Sequence, residues 1–206
     1  MLIALALATV TIAFPPVMLS VRPAPTIPSR FVRQSLEEAA AIWRDAGVTL
    51  WFEDDDCASG PTRIVPSVRM QVSFEEHSIA SRPEALPIGW IDFDELGDPM
   101  RQIHLSIDNA MKILEGWQGV GTVSRMTSFE RNLLLARILG RALAHELGHY
   151  LLSTKSHTKT GLMKAHHVAQ DFLGLNRAGF EVDASQKALI AARRLQAAVR
   201  TEVAPQ

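Results

Sequence analysis

Cysteine is nearly absent from this chain of 206 residues, with Cys57 standing alone. One thiol excludes an internal disulfide and a thiolate metal cluster. Charge of one sign is also missing, since the net charge is −1. No basic stripe is present to bind nucleic acid, and there is no long acidic tail. Internal repeats and low-complexity tracts are absent, which excludes a solenoid. What remains is a chain with 47% hydrophobic residues, enough to bury one substantial core. A single domain over residues 17–206 is the simplest organisation.

A long membrane-spanning run is missing too. The longest apolar stretch, Met1 to Phe14, is closed by Pro15-Pro16. It is too short for an ordinary span and matches the apolar region of a signal peptide. No Lys or Arg precedes it, and no small-x-small cleavage site follows. A fragment of a longer reading frame or a buried first strand would have the same pattern. Residues 1–16 are therefore expected to be a signal peptide or N-terminal anchor. The protein would then be exported to the periplasm or the medium, or tethered through residues 1–14.

Val17 to Val21 is short and β-prone, followed by a Pro-rich turn, and is read as a first strand. Val32, Leu36, Ala39 and Trp43 give the segment from Ser29 to Ala46 one apolar helical face. Gly47 suits the end of that helix, and Val48 to Phe52 reads as a strand. Strand–helix–strand order predicts a crossover and a parallel pair. Glu53 to Asp56, then Ser59-Gly60-Pro61, reads as a solvated loop. Its oxygen ligands lack EF-hand spacing. Val68, Met70, Val72 and Phe74 alternate with polar residues, as a half-buried strand does. Ile88 to Ile91 reads as a short strand. Ile103, Leu105 and Ile107 predict a strand able to serve as an edge for an extended peptide, with His104 on its wet side. Asp183-x-x-Gln186 is a capping box. It opens a C-terminal helix with Ala188, Leu189, Ala192, Leu195 and Val199 on one face.

The chemistry concentrates in Ala144-His145-Glu146-Leu147-Gly148-His149-Tyr150-Leu151-Leu152. Thr127-x-x-Glu130 is a capping box, so a helix of some 25 residues is expected from Ser128 to Leu152. Histidines four apart lie on one face, close enough to share a metal. Glu146 lies about 100° further round, able to face a water on that metal without being a ligand. Two imidazoles and an open water position are what catalytic zinc uses. The surrounding residues are largely apolar, where histidine and glutamate are costly to bury unless paired or bound to metal. Gly148 costs roughly 1 kcal/mol against alanine within a helix, which points to a close approach of another backbone there. Downstream candidates for a third ligand are His157, His166, His167, Asp171 and Glu181. A turn over Leu152 to Ser156 would return His157 to the metal.

With Gly161-Leu162-Met163 beyond, this stretch resembles the metzincin clan of zinc peptidases. More narrowly, it is similar to a group of small bacterial zincin-like proteins with a late third histidine and a Gly-Leu-Met turn. The resemblance is strong over residues 139 to 165, and elsewhere rests on the order and pattern of elements. It implies an α+β zincin-like fold: a mixed twisted sheet, a backing helix, a long central zinc-binding helix and a C-terminal helix. It further implies Zn²⁺ as cofactor, His145, His149 and His157 as ligands, Glu146 as general base, and Met163 as a structural methionine beneath the metal. The chain departs from the metzincin pattern in a physical respect. The clan's glycine and third histidine come three and six residues after the second histidine, where this chain has Leu152 and Lys155. His157 is two residues late, and a gluzincin-like site using Glu181 is the alternative. The tyrosine that the clan carries beyond its methionine turn has no counterpart, since Tyr150 is the only tyrosine.

The expectation is a zinc-dependent peptidase, endopeptidase rather than exopeptidase, acting on peptide or protein substrates. The rival readings are a non-catalytic zinc-binding protein and a membrane-tethered assembly factor on the same fold.

Overall fold

A computed structural model describes residues 16–22, 26–53, 68–76 and 87–202, with side chains through 193. The apolar run at residues 1–14, Cys57 and most of the acidic loop after Glu53 lie outside the described residues.

The strands are β1 (Val17–Arg22), β2 (Leu50–Phe52), β3 (Val68–Glu75), β4 (Gly89–Phe93) and β5 (Pro99–Ser106). They form one mixed sheet in the order β2-β1-β3-β5-β4. All neighbours are parallel except β4 and β5. Register aligns Leu50, Val17 and Val68 in one row, Phe52, Leu19 and Met70 in the next. Val72, Ile103 and Ile91 make a third. Alternation at period two then sends these apolar side chains to one face, where nearly all are buried.

That face receives two helices, α1 (Ser29–Arg44) and α4 (Ser128–Leu152). Both follow the apolar patterns of their sequences, and α4 starts at the expected capping box. Thr127 Oγ1 accepts from the Glu130 amide, while the Glu130 carboxylate accepts from the Thr127 amide at 2.9 Å. Thr127 is also what holds the Glu130 carboxyl below its ordinary range. Among the described elements, α1 and α4 make the most extensive contact. A Cβ on Gly140 would stand 2.5 Å from the Ser35 carbonyl oxygen, so the bare glycine is what lets the helices approach. Further along, the buried Trp43 indole donates to the Ala144 carbonyl at 3.0 Å.

Three helices were not read from the sequence: α2 (Ile107–Gln118), α3 (Val120–Val123) and α5 (Ala169–Leu173). Ile107, expected to continue a strand, instead begins α2, because the Ser106 hydroxyl caps the Asn109 amide. The expected edge is also corrected. Strand β5 lies between β3 and β4, and β4 is the edge. The last helix, α6 (Ala184–Glu202), begins at its predicted box, with Asp183 Oδ1 accepting from the Gln186 amide at 2.8 Å. Its buried side is turned from the expected one. Gln186 and Ile190 are buried, whereas Ala188, Leu189 and Ala192 are exposed. The side chains of Leu195 and Val199 lie outside the description.

Replacing Gly140 by alanine should destabilise the protein by about 1–3 kcal/mol through overpacking, although alanine is the better helix former. Urea denaturation decides between the two effects. A more stable variant would mean that the α1–α4 approach is looser than the structure shows.

Candidate metal centre

The two histidines of α4 project from one face, one turn apart, beneath the edge strand β4. The helix then ends without a glycine. Ser153 takes the left-handed conformation at φ 48° and closes the helix through its amide, which reaches the Tyr150 carbonyl at 3.1 Å. Ser153 is the only non-glycine residue with positive φ among the described residues. The Thr154 amide bonds the His149 carbonyl at 3.1 Å, and the Thr154 hydroxyl accepts from the Ser156 amide at 3.0 Å. This turn carries His157 back over the helix. Thr158 then ties this turn to the segment around Met163, its amide donating to the Met163 carbonyl at 2.8 Å.

His145, His149 and His157 come together with one ring nitrogen each, all within 4.8 Å of one another. The rings of His145 and His157 are nearly parallel at 5.2 Å, and His149 stands edge-on to both. Backbone carbonyls fix the first two rings. His145 Nδ1 donates to the Leu162 oxygen and His149 Nδ1 to the Thr154 oxygen, each at 2.7 Å. That sets the tautomer and leaves both Nε2 atoms free to ligate, the usual support of metal-binding histidines. Burial is the main reason the His145 pKa falls to about 4, and it lowers that of His149 too. Both imidazoles are therefore neutral at neutral pH, as ligation requires. Three imidazole donors fit a borderline ion such as zinc.

Glu146 is buried and lines the same cleft. Desolvation raises its pKa to about 8, against the opposing pull of a hydrogen bond from the Ile91 amide of β4. A carboxyl so placed is poised to exchange a proton near neutrality.

Met163, buried, packs against α4 at Gly148. Its sulfur would be 2.2 Å from a Cβ on Gly148. The expected backbone approach at Gly148 is therefore corrected: a methionine side chain fills the space, with Trp43 beside it. Gly161 turns the chain at φ 76°, where a Cβ would also strike the Glu181 carbonyl. Glu181 itself is exposed, and its carboxylate accepts from the Gly179 amide at 2.8 Å. It stands outside the histidine group. His166 and His167 line the cleft, and His167 stacks on Phe180 at 4.3 Å. Asp171 pairs with Lys164 at 3.3 Å. His104 lies away from the cleft lining, its Nδ1 2.5 Å from Glu75 and its ring stacked on Trp90. Tyr150 is partly buried against the core.

The sequence does not reveal the parts that are backbone: the Leu162 and Thr154 carbonyls and the Ile91 amide. It also gives little sign of Arg141, fully buried one turn before His145. Its guanidinium donates to Glu38 at 2.9 Å and to the carbonyls of Asp171, Gly174 and Asn176. Arginine inside an apolar helical pattern was the available signal.

Two outcomes follow. Ser153→Gly should stabilise the protein by about 0.5–1 kcal/mol, because glycine adopts the left-handed turn without strain; an unchanged melting temperature would remove that strain. The second concerns the metal-free protein. The raised Glu146 pKa means the fold retains a proton that the unfolded chain gives up. That contribution is full below about 4.5 and is lost as pH rises through about 8. The depressed His145 pKa acts oppositely, costing stability as pH falls from 6.5 toward about 4. Between pH 5 and 8, metal-stripped wild type should therefore lose up to about 1.4 kcal/mol per pH unit more than Glu146→Gln. Parallel pH profiles for the two would show that the carboxyl is charged in the metal-free fold.

No protein-family model matches this chain, and no curated protein sequence does. Solved structures do match. Among them is the crystal structure of archaemetzincin from Methanopyrus kandleri, with TM-score 0.48 and 12% identity over 89% of this chain and 97% of that one.

Proposed function

We propose that this protein is a zinc-dependent peptidase of the metzincin kind, cutting within peptide or protein chains. The observation that carries this reading is a buried carboxyl, Glu146, set in the same cleft as three imidazoles whose ring nitrogens converge. A purely structural zinc site has no use for such a neighbour.

His145, His149 and His157 would hold the ion. Zinc bound there supplies a Lewis acid for a carbonyl oxygen and acidifies water. The chain's own residues do the rest. Glu146 accepts a proton from the attacking water and delivers it to the departing amine. The Ile91 amide keeps its carboxylate turned into the cleft. The cleft, of about 610 Å³, is bounded on one side by Gly89, Trp90, Ile91 and Phe93 of the edge strand. An edge strand offers main-chain hydrogen bonds to an extended peptide regardless of its side chains. That favours cleavage inside a chain over removal of single terminal residues. For export, the support is the sequence of residues 1–14; no described helix is long and apolar enough to cross a membrane.

Elemental analysis and a peptide-hydrolysis assay test the assignment together. Wild type should carry about one zinc per chain. Glu146→Ala should keep the zinc and lose about 10²–10⁴-fold in kcat/KM. His149→Ala should lose both, and His157→Ala most of its zinc. An equally active Glu146→Ala protein would remove the mechanism. Full zinc in His157→Ala would move the third ligand elsewhere, with Glu181 the residue to replace next.

A further inference from the structure

We propose that His104, on the face of the sheet turned away from the metal, is a positioning residue for Glu146. It ties the edge strand β4 back to β3, and so fixes the amide on which the Glu146 carboxyl rests. This builds on the reading of Glu146 as the group that carries the proton.

His104 is paired in β5 with Ser73 of β3 on one side and Trp90 of β4 on the other. Its neighbours Ile103 and Leu105 are fully buried on the helix-covered face, so at period two its own ring stands on the opposite face. There Nδ1 donates to Glu75 Oε1 of β3 at 2.5 Å. The ring lies flat on the Trp90 indole, with centroids 4.9 Å apart and planes 5° from parallel. Nε2 faces Asp92 Oδ2 of β4 at 3.6 Å. One side chain therefore holds both flanking strands. Glu75 depends on it in turn, because its Oε2 is buried without a hydrogen-bond partner. Losing the imidazole would leave a buried carboxylate without its donor and Trp90 without the surface it stacks on.

Strand β4 needs such a tie. Among the described strands it pairs with β5 alone, and its register breaks between Ile91 and Phe93. A strand held by one ladder opens locally at less cost than one inside the sheet. Its inner side nevertheless carries the contacts with Glu146. The Ile91 amide donates to the carboxyl, and a Cβ on Gly89 would stand 3.2 Å from Glu146 Cγ. Trp90 lies between these two residues and points the other way, into the stack on His104. Whatever holds Trp90 holds both contacts.

Hydrogen exchange on zinc-loaded, full-length protein tests this, with peptide hydrolysis followed in parallel. His104→Ala removes donor and ring, and its Ile91 amide should exchange about ten- to a hundredfold faster than in wild type. The Leu19 amide of β1 should keep its wild-type rate. His104→Phe retains the ring volume against Trp90 but no donor, so its Ile91 rate should fall between the two; it carries the test alone if His104→Ala does not fold. In hydrolysis, kcat should fall about ten- to a hundredfold in His104→Ala, with KM and zinc content unchanged. Wild-type exchange at Ile91 in the variants, equal acceleration at Leu19, or a loss confined to KM would overturn the proposal. Exchange needs no substrate, which separates this from the peptidase reading. Faster Ile91 exchange in a series that cleaves no peptide keeps the tie and removes the peptidase. Full cleavage by His104→Ala with Ile91 unchanged removes the tie alone.

Discussion

A helix that runs through the interior must satisfy any polar group it carries there, and from Arg141 to His149 α4 carries two imidazoles, a carboxyl and a guanidinium. The rest of the molecule is arranged around that constraint. Each group finds its partner in backbone from another segment. The Leu162 and Thr154 carbonyls accept from the imidazole N–H groups, the Ile91 amide donates to Glu146, and carbonyls of the loop after α5 accept from Arg141. Main-chain partners are positioned by the fold and have few ways to reorient. The same bonds that make burial tolerable therefore fix the tautomers and directions of the rings.

The sheet and helices divide the work. Strand β4 lies across the cleft because it is antiparallel to β5 and outermost, so its amides can reach the carboxyl below. Helix α1 contributes no ligand, but its contact with α4 sets the depth at which the cleft floor sits. Gly140 and Trp43 are the two points where that depth is decided, the first by close approach and the second by a hydrogen bond.

Much of this was legible in the sequence where a local rule acts alone. Thr127 and Glu130 announced the start of α4, and alternation at Val68 to Phe74 announced β3. The turn bringing His157 back could be anticipated, and so could a helix end without the clan's glycine, but not that a left-handed Ser153 closes it. What failed was whatever depends on distant partners. Alternation in β5 shows that one face is buried, but not which strand lies at the edge. The rotation of α6 follows from Gln186 and Ile190 packing inward and from Arg193 reaching the Leu151 carbonyl at 3.0 Å, none of which is written in its own periodicity. Ile107 looked like strand because its side chain suits one, whereas the hydroxyl of Ser106 decided otherwise.

The Leu162 backbone joins the motif helix to the segment near Glu181. Its carbonyl accepts a hydrogen bond from His145 Nδ1, and its amide donates to the carbonyl of Glu181 at 2.9 Å. During synthesis, therefore, His145 and His149 leave the ribosome well before the residues that hold them in place. The helix with its motif can form early, but the site closes only when the chain has emerged past residue 181. A nascent or prematurely ended chain would carry the motif without the backbone partners that hold its rings in place.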